Sequence, residues 1–124
     1  MPKPKQKLKF RLPEYVSPRN AWRKKVHAAA LKAAKQQGVE YGAEAKLAVE
    51  VKLYLRGRAL EIHDVDNRLK DILDALQGRA GGSKAIRQLQ PIILNDRQIY
   101  RVTVTKSAPP KQSLGLGHVT VVSF

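Results

Sequence analysis

In two segments of this sequence a large apolar residue occurs at every second position, and each segment is followed by one with helical spacing. In residues 7–12 the basic side chains alternate with Leu8, Phe10 and Leu12, and residues 46–56 show the same alternation. A period of two predicts a strand with one buried face, because successive side chains of a strand point to opposite sides. The chain is therefore restricted to folds that mix strands with helices.

Apolar residues recur at helical spacing in two further segments. The first has a typical start, with Ser17 as the N-cap and Pro18 as the first helical residue, and a typical stop at Gly38. Trp22 lies in the apolar stripe of this helix, which favours a place in the core over a role as a base-stacking platform. The second helix is predicted over residues 66–77.

The remaining apolar segments predict strands. Residues 92–94 and 98–105 have strand composition and are separated by a turn, and residues 119–122 form a last strand. The order predicts an α+β fold with a small mixed β-sheet and helices packed on one face. We expect residues 1–124 to form a single domain, in which residues 1–6 are a basic and flexible arm.

The charge balance narrows the classes of partner. The 124 residues include 24 Lys and Arg against 10 Asp and Glu, for a net charge of +14, which favours binding to nucleic acid. Cysteine is absent, which removes disulfides and thiolate metal sites and fits a cytoplasmic protein. Because no apolar run approaches 18 residues, no membrane is expected among its partners.

The basic residues are concentrated near the start of the chain. The first 35 residues contain eleven Lys and Arg and one acidic residue, Glu14. A solvated surface is the alternative, but phosphate contact is favoured because such a charge costs stability through self-repulsion. The residues predicted to contact DNA as a patch are Lys7, Lys9, Arg11, Arg19, Arg23, Lys24 and Arg68.

Six of the ten acidic residues fall between Glu61 and Asp96. Asp64 and Asp66 are two apart, so an extended backbone would point both carboxylates at one place. Asp96 lies at the turn before a predicted strand. Three carboxylates brought together repel one another unless a cation binds them, and oxygen ligands suit Mg²⁺ or Mn²⁺. Lys70 could stabilise negative charge that develops at a phosphate bound there.

An ordinary structural interpretation of the same residues stays open. Asp64 and Asp66 could cap the second helix, Lys70 could pair with Asp74, and Asp96 could serve only its turn. We expect Asp71, on the same helix, to be solvated.

The acidic residues stand in a recognisable order. Asp64-x-Asp66-Asn67-x-x-Lys70, then Asp74-Ala75-Leu76, then Asp96-x-Gln98-Ile99 resembles the signature of the RusA-type Holliday-junction resolvases, which reads D-x-D-N-x-x-K, D-A-L and D-D-x-Q-[IV]. The resemblance implies a RusA-like α/β subunit and a homodimeric, Mg²⁺-dependent endonuclease of bacteria or phages. Such enzymes act in DNA recombination and repair, where they resolve four-way DNA junctions by paired symmetric nicks.

The resemblance also implies roles for particular residues. Asp64, Asp66 and Asp96 would be the catalytic metal ligands and Lys70 the catalytic lysine. The residues expected beside these ligands are Asn67, Asp74 and Asn95.

The chain departs from the family pattern in two places. Asn95 stands where the family has the first of two acids, and the segment between Asp74 and Asp96 is longer than usual. Two other functions therefore stay open: a nuclease for flaps or other branched nucleic acid, and a nucleic-acid-binding protein without enzymatic activity.

Overall fold

The computed structural model describes residues 6–16, 18–54, 65–79, 89–108 and 117–124, and for residues 65–67 only the backbone. The elements are β1 (Lys7–Leu12), α1 (Arg19–Gln37), β2 (Leu47–Tyr54), α2 (Val65–Leu76), a 3₁₀-helix (Asp96–Gln98), β3 (Ile99–Ser107) and β4 (Gly117–Ser123). These elements confirm the predicted α+β class.

The strands form one four-stranded mixed sheet in the order β1-β4-β2-β3. Strand β4 is antiparallel to both of its neighbours, whereas β2 and β3 are parallel. We call the end at which Gly117 lies between Leu12 and Leu53 the upper end of the sheet. The opposite, lower end is the one at which Leu47 pairs with Ser123.

The two alternating segments place their apolar residues in the core, as predicted. Leu8, Leu12 and Val51 are fully buried, and they pack in one cluster with Trp22 of α1 and Ile72 of α2. Both helices therefore cover the same face of the sheet. The side chains that alternate with the buried ones lie on the other face, which no described helix covers. We call this second side the open face.

The ends of α1 follow from its flanking residues. Pro18 is the N-cap, with extended backbone at ψ 167°, so the helix starts one residue later than predicted. Ser17, the predicted cap, lies outside the described residues. Gly38 ends the helix as predicted, because its φ of 66° lies in the left-handed region that glycine enters without strain. Its N–H donates to the carbonyl oxygen of Ala34.

Residues 92–94 do not form the predicted strand. The N–H groups of Ile92 and Ile93 donate to the carbonyl oxygen of Leu76, at 2.8 and 2.9 Å, and so satisfy the last turn of α2. Ile93 is fully buried in this bend. A short apolar run is compatible with a buried strand or a buried bend. Here it forms a bend, because the N–H groups of Ile92 and Ile93 bond to the end of α2.

The ordered part of the sheet begins within the predicted arm. Gln6 donates its backbone N–H to the Ser123 hydroxyl at 2.8 Å and accepts from the N–H of Ser123 at 3.0 Å. Residue 6 therefore belongs to the folded domain. Residues 1–5 lie outside the described residues.

Candidate functional site

The segment Asp66-Asn67-x-x-Lys70 of the motif lies at the start of α2. Helix α2 begins at Val65, one residue before its predicted start, so Asp66 and Asn67 occupy its first turn. Asp64 lies outside the described residues, and the side chains of Asp66 and Asn67 are not described. A helix N-terminus carries partial positive charge, which stabilises carboxylates at this position whether or not they bind a metal.

Lys70 lies one turn further along α2 with an exposed side chain. Lys70 does not form the alternative pair with Asp74, because Asp74 instead pairs with Arg23. Asp74 Oδ2 lies 3.2 Å from Arg23 Nη2. No ion pair of Lys70 occurs among the residues that the structure describes.

Asp71 is buried rather than solvated, and it joins the two helices. Its side chain has no exposed area, and Oδ1 accepts from Arg19 Nη2 at 2.8 Å and from Arg23 Nε at 3.0 Å. Arg68 Nη2 lies 3.6 Å from Oδ2. The hydrogen bond and charge of Asp71 raise the pKa of Arg19 above its ordinary value. A buried carboxylate needs such partners, because an unpaired charge in the interior is costly.

Arg68 belongs to the core and not to the basic surface on which the sequence placed it. The residue is 7% exposed, and its guanidinium carbon lies 4.0 Å from the ring centre of Tyr15 and 5.5 Å from that of Trp22. Stacking on these rings is a favourable cation–π contact. The Nε and Nη1 atoms have no hydrogen-bond partner in the described part of the chain. Arg68 thus helps to seat α2 on α1.

Asp96 opens the 3₁₀-helix before β3, and its side chain is exposed. Asn95, the residue that departs from the family pattern, is the N-cap of this turn. Its Oδ1 accepts from the N–H of Arg97 at 2.9 Å, and its own N–H donates to Gln98 Oε1 at 3.1 Å. An aspartate caps as well as an asparagine does, so this position has a structural role that either residue fulfils.

Gln98 connects the same turn to the loop before β2. Its Nε2 donates to the carbonyl oxygens of Gly42 at 2.7 Å and Ala45 at 3.0 Å. Ile99, the next residue, pairs with Leu47. Asp96 is therefore held at the lower end of the sheet.

Helix α2, by contrast, packs at the upper end. Its Asp71 contacts Arg19 and Arg23, which lie in the first two turns of α1, just beyond the end of β1. The two ends of the sheet are separated by the length of β2, about 20 Å at the usual rise per residue. The described residues of one chain therefore do not bring Asp96 to the start of α2. Among the described side chains, no three acidic, histidine or cysteine residues are grouped as a metal site.

The residues predicted as one basic patch lie on two sides of the molecule. Lys7, Lys9 and Arg11 are exposed on the open face. The α1 residues Arg19, Arg23 and Lys24 lie on the side of the sheet that the helices cover, and the first two are engaged by Asp71. One straight segment of DNA cannot contact both groups of residues, because the sheet lies between them.

The sequence interpretation missed the rest of the open face. His118 lies directly beside Arg11 in the strand register, Lys52 lies beside His118, and Arg101 lies on the same face of β3. Burial lowers the pKa of His118, and the positive charges of Lys9, Arg11 and Lys52 lower it further. The alternation that identified the buried residues of each strand also places Lys52, His118 and Arg101 on the open face, once the strand order is known.

A comparison with protein-family models finds no match for this chain, and a comparison with the curated proteins finds none either. Among the described residues, no helix has the length and apolar character needed to cross a membrane.

Proposed function

We propose that this protein is a Mg²⁺-dependent endodeoxyribonuclease of the RusA type that resolves four-way DNA junctions as a homodimer by paired nicks, in the cytoplasm of a bacterium or a phage-infected cell. The observation that carries the proposal is the position of the Asp66-Asn67-x-x-Lys70 segment at the start of α2. There Lys70 is exposed, while the buried contacts of Asp71 hold the helix in place.

The residues of the chain have distinct tasks in this proposal. Asp64, Asp66 and Asp96 would hold Mg²⁺, for which Mn²⁺ could substitute, and such an ion would supply activation of water and charge neutralisation at the phosphate. Lys70 stabilises the negative charge that develops on the phosphate oxygens. Asn67, Asp74 and Asn95 orient the neighbouring groups, Asp74 through Arg23 and Asn95 through its turn.

The first test is cleavage of a four-way junction beside a linear duplex of the same sequence, with and without Mg²⁺. We expect the wild-type protein to nick the junction in a metal-dependent manner. The Asp66→Asn variant should be slower by at least about 100-fold, because it loses a ligand to the ion that stabilises the transition state. The control is Glu44→Gln, an exposed acid outside the motif. Cleavage by Asp66→Asn at the wild-type rate contradicts the proposal.

In this proposal the homodimer is part of the site, because Asp96 and the start of α2 lie toward opposite ends of the sheet. We propose that Asp96 reaches the metal bound by the α2 carboxylates of the second copy of the chain. A mixture of the inactive Asp66→Asn and Asp96→Asn proteins should then regain nicking, since each mixed dimer contains one site with all its carboxylates. If both ligands came from one chain, every site in the mixed dimer would lack one of them, and the mixture would stay inactive.

The second candidate function is nucleic-acid binding without catalysis. The observation that favours it is the row of exposed basic residues on the open face, which needs no metal to bind phosphate. It predicts salt-sensitive binding with no cleavage under any divalent ion. A nuclease that prefers flaps or other branched nucleic acid would instead cleave those substrates faster than the junction.

A further inference from the structure

Two aromatic rings are exposed together at the lower end of the open face. Tyr100 is 65% exposed and Phe124 is 59% exposed, and their ring centres lie 6.1 Å apart in an edge-to-face arrangement. The ammonium group of Lys46 lies 5.6 Å from the ring centre of Tyr100. Apolar side chains that are exposed side by side and rimmed by polar groups often mark a binding site, and a neighbouring cation favours a ligand with negative charge.

The rest of the open face continues this chemistry. Reading across the strands, one row holds Lys7 and Arg101, the next holds Lys9, and the third holds Arg11, His118 and Lys52. Hydroxyl groups of Thr103, Thr105 and Thr120 lie between these charges. Among the described strand residues of this face the one acid is Glu50, 3.8 Å from Lys52, and the basic side chains outnumber it.

A shallow depression joins Phe124 to the basic rows. It has a volume of about 460 Å³, and its lining includes Phe124, Arg101, Thr103, Thr120 and Val122. The depression is open along the sheet, so it can accommodate an extended chain that passes over several strands.

We propose that the open face binds single-stranded DNA, with unpaired bases stacked on Tyr100 and Phe124 and the backbone phosphates along the basic rows. A duplex keeps the faces of its bases inside the stack, so exposed rings beside cations match a single strand better than a duplex. That the polynucleotide is DNA rather than RNA rests on the proposed function. The surface is separate from the candidate residues of α2, since α2 packs on the other side of the sheet, whereas Asp96 lies at the same lower end as the aromatic pair.

The charges on this face already act on His118. Burial lowers the pKa of His118, and the charges of Lys9, Arg11 and Lys52 lower it further. The strand register places Arg11 and Lys52 on either side of His118, near the upper end of the sheet. A second copy of the chain is a poor occupant for the same surface, because it carries the same charge of +14. A phosphate backbone relieves this repulsion and releases counterions when it binds.

The test is the affinity for a fluorescently labelled oligothymidylate of about 12 nucleotides, measured by anisotropy. The Tyr100→Ala/Phe124→Ala double variant should bind about tenfold more weakly or worse, since each stacked base contributes through its ring. Tyr100→Phe should bind like wild type, because it keeps the ring. Lys46→Ala should reduce the salt dependence by about 0.7 in the slope of log K against log salt for one lost phosphate contact.

Matched controls separate stacking from loss of structure. Val102 is 41% exposed on the same strand but faces the helix side, so Val102→Ala should leave the affinity unchanged. Lys32→Ala, at an exposed lysine of α1 outside the predicted DNA-contact residues, should change it little. Wild-type affinity in the Tyr100→Ala/Phe124→Ala variant overturns the proposal, and so does tighter binding of a duplex or of oligouridylate than of oligothymidylate.

The same samples distinguish this inference from the proposed cleavage. Lys70→Ala should abolish junction cleavage while it leaves binding of oligothymidylate unchanged. Ring-dependent binding without cleavage in any sample retains the inference and removes the proposed function. Cleavage without ring-dependent binding retains the proposed function and removes the inference.

Discussion

The Asp71→Asn variant should be less stable than wild type by about 3–5 kcal/mol, the usual cost of removing one partner from a buried ion pair. Asparagine keeps the shape of the side chain but removes the charge that Arg19, Arg23 and Arg68 share. Arg19 can turn toward water, because its side chain is 42% exposed. Arg68 cannot, because it is 7% exposed and already has two nitrogen atoms without a described partner.

The measurement is the free energy of unfolding in urea, with Glu50→Gln as the control. Glu50 lies 3.8 Å from Lys52, but both side chains are more than half exposed, so this pair should contribute less than about 1 kcal/mol. A similar small loss in both variants would show that Asp71 does not hold the helices together. Because α2 carries Lys70, a large loss in the free energy of unfolding would also show that the position of the candidate site depends on this buried cluster.

The second large effect is expected at Gly117. The Gly117→Ala variant should lose about 2–4 kcal/mol through backbone strain and overpacking together. The φ of Gly117 is 144°, a conformation that side chains disfavour, and an added Cβ would collide with the carbonyl oxygen of Lys52. Strand β4 cannot move away from the Lys52 carbonyl, because it lies between β1 and β2 and pairs with both.

Gly42→Ala is the matched control for this variant. A Cβ at Gly42 meets no atom within 4 Å, and its backbone has no positive φ. We expect its stability to equal that of wild type or to rise slightly, because alanine restricts the unfolded chain. Equal unfolding midpoints in the two alanine variants would show that the sheet can open at Gly117 to accept a side chain.

The strands and helices could largely be predicted because their patterns are local. Leu8, Phe10 and Leu12 alternate with charges, and Trp22 lies in an apolar helical stripe, so each identified its buried side without knowledge of its partner. Residues 92–94 were misassigned, since three apolar residues in a row carry no period. Their conformation depends on the carbonyl oxygen of Leu76, which needs donors at the end of α2.

The site was predicted less completely than the fold. The motif placed Asp66 and Lys70 at the start of a helix, which the position of α2 confirms. Asp71 and Arg68 were expected at the surface, since charged residues usually lie there. Their burial depends on residues of α1 that are about 50 positions away in the sequence, and no local pattern reports such a pairing.

The sequence by itself determined the class of fold, the basic character of the surface and the place of the motif at a helix start. Each of these follows from residue type and short-range periodicity, which act within one element. Only the tertiary structure decided that the basic residues lie on two sides of the sheet, that Asp96 lies at the opposite end from α2, and that Tyr100 meets Phe124. These facts depend on strand order and register, because β4 enters between β1 and β2 and the parallel pairing of β3 sets where its first residues lie.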